Sequence, residues 1–268
     1  MSTAAVTAPR VPRRPRLVGA EFLKLRKRRG LVVSGLALTV LPMLVAYTVL
    51  LIVHGANPVK HGPAGGLRNF SDSMDLLMTL SGIAAILIGA TLGAGDLGSG
   101  VFRELVVTGR SRLALFGARI PAGLGLAWML TGAGFAITAA AANVFAGSLE
   151  APSARLVVES AAWLALATGL SLVLGLGVAS VVGSRGTTIG VVLGWQIVAT
   201  PLLLQIKTLG SLREGLVGAA VQRLEPSALL AQGSPRVTMS VAAAVAAVVV
   251  WTLVPLALGA WRTVTRDA

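Results

Sequence analysis

Long, nearly uncharged runs of apolar residues alternate with shorter polar connections along this 268-residue chain. A hydrocarbon core of about 30 Å is crossed by roughly 20 residues rising about 1.5 Å each. Six stretches reach that length: Leu31–Val53, Met74–Ala94, Ile120–Ala142, Leu156–Val182, Thr187–Ile206 and Thr238–Trp261. No charge sits near the middle of any of them. Asp75 and Glu159 fall near predicted ends, where a carboxylate reaches water; at the centre each would cost about 2.5–3.5 kcal/mol. The pattern predicts an all-α integral membrane protein with about six transmembrane helices. It also predicts a disordered tail over 1–14, rich in Ala, Pro, Arg and Thr, and one membrane domain over 15–268.

The connections carry patterns of their own. Residues 16–29 (RLVGAEFLKLRKRR) put Leu17, Val18, Phe22 and Leu25 on one arc of a helical wheel, with most basic residues outside it. That predicts an amphipathic helix lying in the membrane interface with its Lys and Arg reaching water. Glu21 interrupts the arc and is either a solvated acid or a residue with a dedicated partner. Gly55–Ser73 is rich in Gly, Pro and Asn and reads as a loop. Over Lys207–Val237 the apolar positions Leu209, Leu212, Leu216, Val217, Ala220, Val221 and Leu224 recur at helical spacing, predicting one or two short helices broken near Pro226. Gly89xxxGly93 and Gly175xxxAla179 are spacings that permit close helix contact, within the chain or across a dimer.

Composition agrees with the membrane reading. Hydrophobic residues make up 55% of the chain and charged residues 12%, and the mean hydropathy is +0.82. Soluble domains carry about 25% charged residues, so this chain could not cover a water-facing surface. The net charge of +13 does not point to nucleic acid, because nine of the 23 Lys and Arg lie between Arg10 and Arg29, just ahead of the first apolar run. That placement is a topology signal facing anionic lipid. With the N-terminus in the cytoplasm, inner segments hold sixteen Lys and Arg and outer segments seven. Both termini are therefore expected inside, with the short helices of 207–237 outside. A cleaved signal peptide is the competing account of the first run, but 23 apolar residues exceed the usual 7–15. Arg13-Arg14 does not stand at twin-arginine spacing.

Candidate chemistry is sparse. There is no cysteine, which excludes disulfides, zinc–thiolate sites and a cysteine nucleophile. His54 and His61 share one loop; with Asp72 they could be drawn as a metal site, but a solvated loop is the simpler account. Gly93-Ala94-Gly95-Asp96-Leu97-Gly98 matches GxGxxG, yet it follows a transmembrane stretch instead of a strand, so it is not a dinucleotide fingerprint. No P-loop, HExxH or GxSxG occurs. The chain is expected to bind no cofactor and to catalyse nothing itself.

The segment between the second and third apolar runs, Gly93–Pro121, is longer than a plain hairpin connection. Val101, Leu105, Val106, Leu113 and Phe116 have helical spacing, with Arg103, Glu104, Arg110 and Arg112 between them. This segment, preceded by AEFLKLRKRR, resembles the ABC type-2 exporter permeases. Glu21, Lys24 and Arg26 match that family's interfacial E-x-x-K-hydrophobic-R helix. Asp96, Gly100, Arg103, Leu105, Ser111, Arg112 and Arg119 occupy places in its cytoplasmic motif. Asp96 stands for the usual Glu, Val101 for Thr, Gly109 for Pro and Arg119 for Lys.

The resemblance implies a permease subunit of an ATP-driven exporter in the plasma or inner membrane. It implies a second permease chain, identical or paralogous, and a separate ABC ATPase that holds ATP and Mg. The ATPase would dock on the loop around Asp96, Gly100, Arg103, Glu104, Leu105, Arg110, Ser111 and Arg112, and on the basic helix carrying Glu21, Lys24, Arg26, Arg28 and Arg29. Arg103, Arg110 and Arg112 would pair with acidic grooves while Glu104 fixes register; their plainer role is to hold anionic lipid. Two other readings stay open. One is a secondary transporter, for which Gln196 is the mid-span polar residue and Pro42 and Pro201 are candidate helix breaks. The other is a non-transporting sensor or immunity subunit of the same plan. A membrane enzyme lacks the groups it would need.

Overall fold

The computed structural model describes residues 17–98, 111–229 and 237–265, with side chains as far as Gly95 in the first stretch. The predicted tail, and Gly100, Arg103, Glu104, Leu105 and Arg110 of the predicted docking loop, lie outside these residues. All regular structure among the described residues is helical. Helix α1 is Leu17–Lys27, α2 Arg29–Thr39, α3 Leu41–Ala56, α4 Leu67–Gly98, α5 Arg112–Val144, α6 Ala154–Val182, α7 Arg185–Leu193, α8 Thr200–Gln205, α9 Val217–Arg223 and α10 Val241–Thr265. A π-helical turn, Gly194–Ala199, joins α7 to α8, and tighter turns span Lys207–Gly215 and Ser227–Leu229. Six helical units are long and apolar enough to cross a membrane: Arg29–Ala56, Leu67–Gly95, Arg112–Val144, Ala154–Val182, Arg185–Gln205 and Val241–Thr265. The chain is a multi-pass membrane protein by that measure.

The helices start where the sequence supplies caps. Ser111 Oγ accepts from the Ala114 N–H at 3.0 Å, Ser153 from Leu156 at 3.2 Å and Ser184 from Thr187 at 3.4 Å. Each satisfies a backbone donor that the first turn leaves open. Gly183 ends α6 with φ 76°, a left-handed conformation natural to glycine.

Helices α4 and α6 form the centre. Lipid tails are as apolar as leucine, so close packing and hydrogen bonds hold such a pair together. A Cβ on Gly89 would overlap the Leu172 carbonyl, and one on Gly93 would overlap the Leu176 carbonyl. On the facing side a Cβ on Gly175 would lie 2.9 Å from the Ile86 carbonyl oxygen. The two small-residue spacings thus meet each other inside one chain. Helix α10 joins them where Gly177 lies against Pro255. One core cluster gathers Phe70, Met74, Leu77, Trp163, Leu164 and Leu170; a second gathers Leu25, Leu92, Phe116, Leu126, Leu172 and Leu176.

One sequence expectation needs correction. The expected loop over Gly55–Ser73 ends at Gly66, and α4 begins at Leu67. Asn69, Ser71, Asp72 and Ser73 lower the local hydropathy, but Phe70, Met74 and Leu77 continue the helical spacing and are fully buried. The Asn69 amide donates to the carbonyls of Pro63, Ala64 and Gly65 at 3.0–3.2 Å, and the Ser71 hydroxyl to that of Leu229. Helix α1 buries Leu25, with Phe22 and Leu17 half-buried, while Val18 is 42% exposed. The helix packs on α5, where a Cβ on Gly125 would meet the Phe22 ring at 3.6 Å. The first unit, Arg29–Ala56, is interrupted at Val40 just ahead of Pro42, the candidate break noted in the sequence, which separates α2 from α3.

Candidate functional site

At one end of the bundle the ends of several helices converge. Helix α1 stops at Lys27, and Arg28 reaches the last turns of α4. A Cβ at Gly95 would lie 3.3 Å from both terminal nitrogens of the Arg28 guanidinium. Glu21, Lys24 and Arg28 line a shallow crevice with Thr91 and Leu92 of α4. Lys24 Nζ lies 3.8 Å from Glu21 Oε2, so the acid that interrupts the arc has a partner one turn away. Arg26 and Arg29 are exposed. Asp96 is described only as backbone of α4.

The start of α5 faces the end of α10. Arg112 donates through Nη1 to the Val264 carbonyl at 3.0 Å. A cation at a helix C-terminus meets unsatisfied carbonyls and the negative end of the dipole. Ser111, expected to help dock a partner, is the N-cap of α5. Seven residues on from Arg112, Arg119 is 2% exposed. Among the described residues it is the one charged side chain that is buried, and it is not without a partner. Buried charge in a membrane helix is costly and points to function or to an essential contact. Sequence reasoning placed Arg119 at the helix opening but gave it no site role. Its signal was charge on an otherwise apolar face.

A second site lies deeper, at the opposite half of the molecule. A half-open cavity of about 550 Å³ is lined by α4, α6, the end of α7 with the π turn and α8, and α9. Gln196, noted in the sequence as the mid-span polar residue, faces it from the π turn. Its Nε2 and Oε1 lie 3.4 and 3.5 Å from Ser171 Oγ, long for hydrogen bonds. The turn is wide because the Thr200 N–H reaches back five residues to the Trp195 carbonyl. Pro201 follows, with no N–H to offer the Ile197 carbonyl. This register changes the surroundings of Thr200. Thr39, Thr91, Thr138 and Thr252 each donate to the carbonyl four residues back. Thr200 makes no such bond, and its hydroxyl is buried without a partner.

Elsewhere, tryptophans fix the walls. Trp163 Nε1 donates to the Val221 carbonyl at 2.9 Å, and Trp251 Nε1 to that of Gly215 at 2.8 Å. The His54 ring lies 2.8 Å from the His61 carbonyl oxygen, and Arg155 donates to Glu159 at 2.7 Å across one helical turn. No family model matches this chain, and no curated protein matches it.

Proposed function

We propose that this chain is the permease subunit of an ATP-driven ABC type-2 exporter, working in a cell membrane with a second permease chain and a separate ATPase. The observation that carries the reading is the approach of Arg28 to Gly95. It brings the basic N-terminal segment against the entry to the Gly93–Pro121 connection, the two elements that resemble the family's coupling surfaces. Arg112, at the exit of that connection, is tied to the end of α10. A push on this end would therefore be shared by α1, α4, α5 and α10. Helix α5 runs 33 residues, roughly 50 Å at about 1.5 Å per residue. It is long enough to carry a displacement across a bilayer. ATP and Mg belong to the partner, and this chain supplies the lever and the path.

The π turn at Gly194–Ala199 favours a second reading. Interrupted helices with polar groups at membrane depth are a device of secondary transporters. A pull-down of the tagged chain from native membranes in mild detergent separates the two. Co-purification of an ATPase with a P-loop in stoichiometric amount, lost on charge reversal of Arg103 and Arg112, supports the exporter. Arg112→Gln is the control, because it can still donate to the Val264 carbonyl. A chain that emerges alone and moves substrate on a proton or sodium gradient establishes the other reading.

A further inference from the structure

The break between α1 and α2 carries an inference of its own. Lys24, Arg26, Lys27, Arg28 and Arg29 place five cations in six residues, and Glu21 is the one acid of α1. That acid is committed: its side chain is 13% exposed and lies 3.8 Å from Lys24 Nζ. Elsewhere Arg112, Arg213 and Arg223 donate to carbonyls and Arg155 to a carboxylate. Among the described residues, the side chains of Arg26, Lys27, Arg28 and Arg29 have neither a hydrogen bond nor an ion pair. Four adjacent cations repel one another, and an anion from outside the chain relieves that repulsion.

Arg28 differs from its neighbours. It belongs to neither helix, with φ −78° and ψ 80°, and it is half-buried, while Arg26, Lys27 and Arg29 are exposed. Its guanidinium rests on the last turns of α4, where Gly95 leaves the room. The fork is thus positioned before any ligand arrives, with its donors unused. A planar guanidinium matches two oxygens of one phosphate, and Lys27 and Arg29 flank it along the chain.

The surroundings of the run decide which anion it takes. Arg29, Val33 and Leu36 share one face of α2 by their spacing, and Val33 is 63% and Leu36 41% exposed. Leu23, just ahead of the run, is 50% exposed. Helix α2 also opens the first of the units able to cross a membrane. A soluble polyanion or an acidic protein groove would cover the cations and leave these apolar side chains without a partner. A phospholipid covers both, with its phosphate on the cations and an acyl chain along the helix.

We infer that the α1–α2 break seats an anionic phospholipid, its phosphate held by Arg28 with Lys27 and Arg29 and an acyl chain lying along Val33 and Leu36. The inference rests on the chain spanning a membrane and is independent of any ATPase. Capture of an ATPase and binding of this lipid can each fail without the other.

The test titrates the full chain, purified and delipidated in mild detergent, with dioleoylphosphatidylglycerol, dioleoylphosphatidylcholine or inorganic phosphate, and counts bound lipid by native mass spectrometry. Phosphatidylglycerol is expected to bind at least about tenfold tighter than phosphatidylcholine, and millimolar inorganic phosphate to leave it bound. Arg28→Gln is expected to weaken phosphatidylglycerol about fivefold, the effect of one cation at a membrane surface. Gly95→Val keeps every charge but crowds the guanidinium off α4, and should weaken it similarly. Arg185→Gln removes an exposed cation at the start of α7 and should leave binding unchanged. Equal binding of the two lipids would overturn the proposal. So would a loss in Arg185→Gln as large as in Arg28→Gln, which would show diffuse charge and no seat. Displacement by inorganic phosphate would overturn it in favour of a free anion. Gly95→Val binding as the wild type would remove Arg28 from its assigned place.

Discussion

The Thr39 hydroxyl shares its single proton between the Gly35 carbonyl of its own helix, at 2.9 Å, and the Leu130 carbonyl of α5, at 3.0 Å. This bond sits beside the bend between α2 and α3, where Gly134 lies against the Thr39 carbonyl with no room for a Cβ. Thr39→Val keeps the shape and removes the bond. Its expected cost is about 0.6–1.7 kcal/mol, the range for interhelical hydrogen bonds in membranes. Gly134→Ala is expected to cost more, about 1–3 kcal/mol, because the carbonyl must move. Unfolding in mixed micelles titrated with SDS checks the order.

Burial of Arg119 sets a second expectation. Removing one member of a buried charged contact costs about 3–5 kcal/mol. Arg119→Met is expected to approach that, with Arg119→Lys between it and the wild type. Arg26→Met, on the exposed side of α1, should stay within about 0.5 kcal/mol. The same SDS titration ranks the three.

Pro201→Ala restores an N–H that the Ile197 carbonyl can accept. The π turn is then expected to relax to α-helix, turning position 200 and shrinking the cavity. The chain has no cysteine, so Thr200→Cys supplies its one thiol. N-ethylmaleimide should label that thiol more slowly in the Pro201→Ala background. Equal rates would show that proline is not what holds the wide register.

The charge bias along the chain predicts sidedness. Val59 is 99% exposed in the loop after α3. Val59→Cys should react with a membrane-impermeant maleimide in intact cells, while tags at both chain ends become accessible only after permeabilisation.

Much of the architecture was legible because hydrophobic length is a coarse and robust signal. All six expected runs have helical counterparts, and the region between Lys207 and Pro226 holds the short helices its spacing predicted. Boundaries were less legible. The first turns of α4 hide behind Asn69, Ser71, Asp72 and Ser73, of which Asn69 and Ser71 bond to carbonyls of neighbouring turns. The glycine pairs were visible as patterns, but only the fold shows that Gly89 and Gly175 face partners in the same chain. The cavity was invisible because its walls come from four separated segments. Gln196 stood out as polar, but Thr200 did not: a threonine in a helix normally satisfies itself, and only the shifted register prevents it. Ser111, within the segment that resembles a docking motif, also caps α5, a role that any Ser at a helix start can take.

The contact between α4 and α6 has a mechanical consequence. Backbone rests on backbone along Gly89, Gly93 and Gly175, with no flexible side chains between to act as bearings. Sliding either helix past the other would drive carbonyl into main chain at every step. The pair is therefore a strut that moves as one piece. Compliance belongs to what surrounds it: the break at Val40 and the widened turn before Pro201.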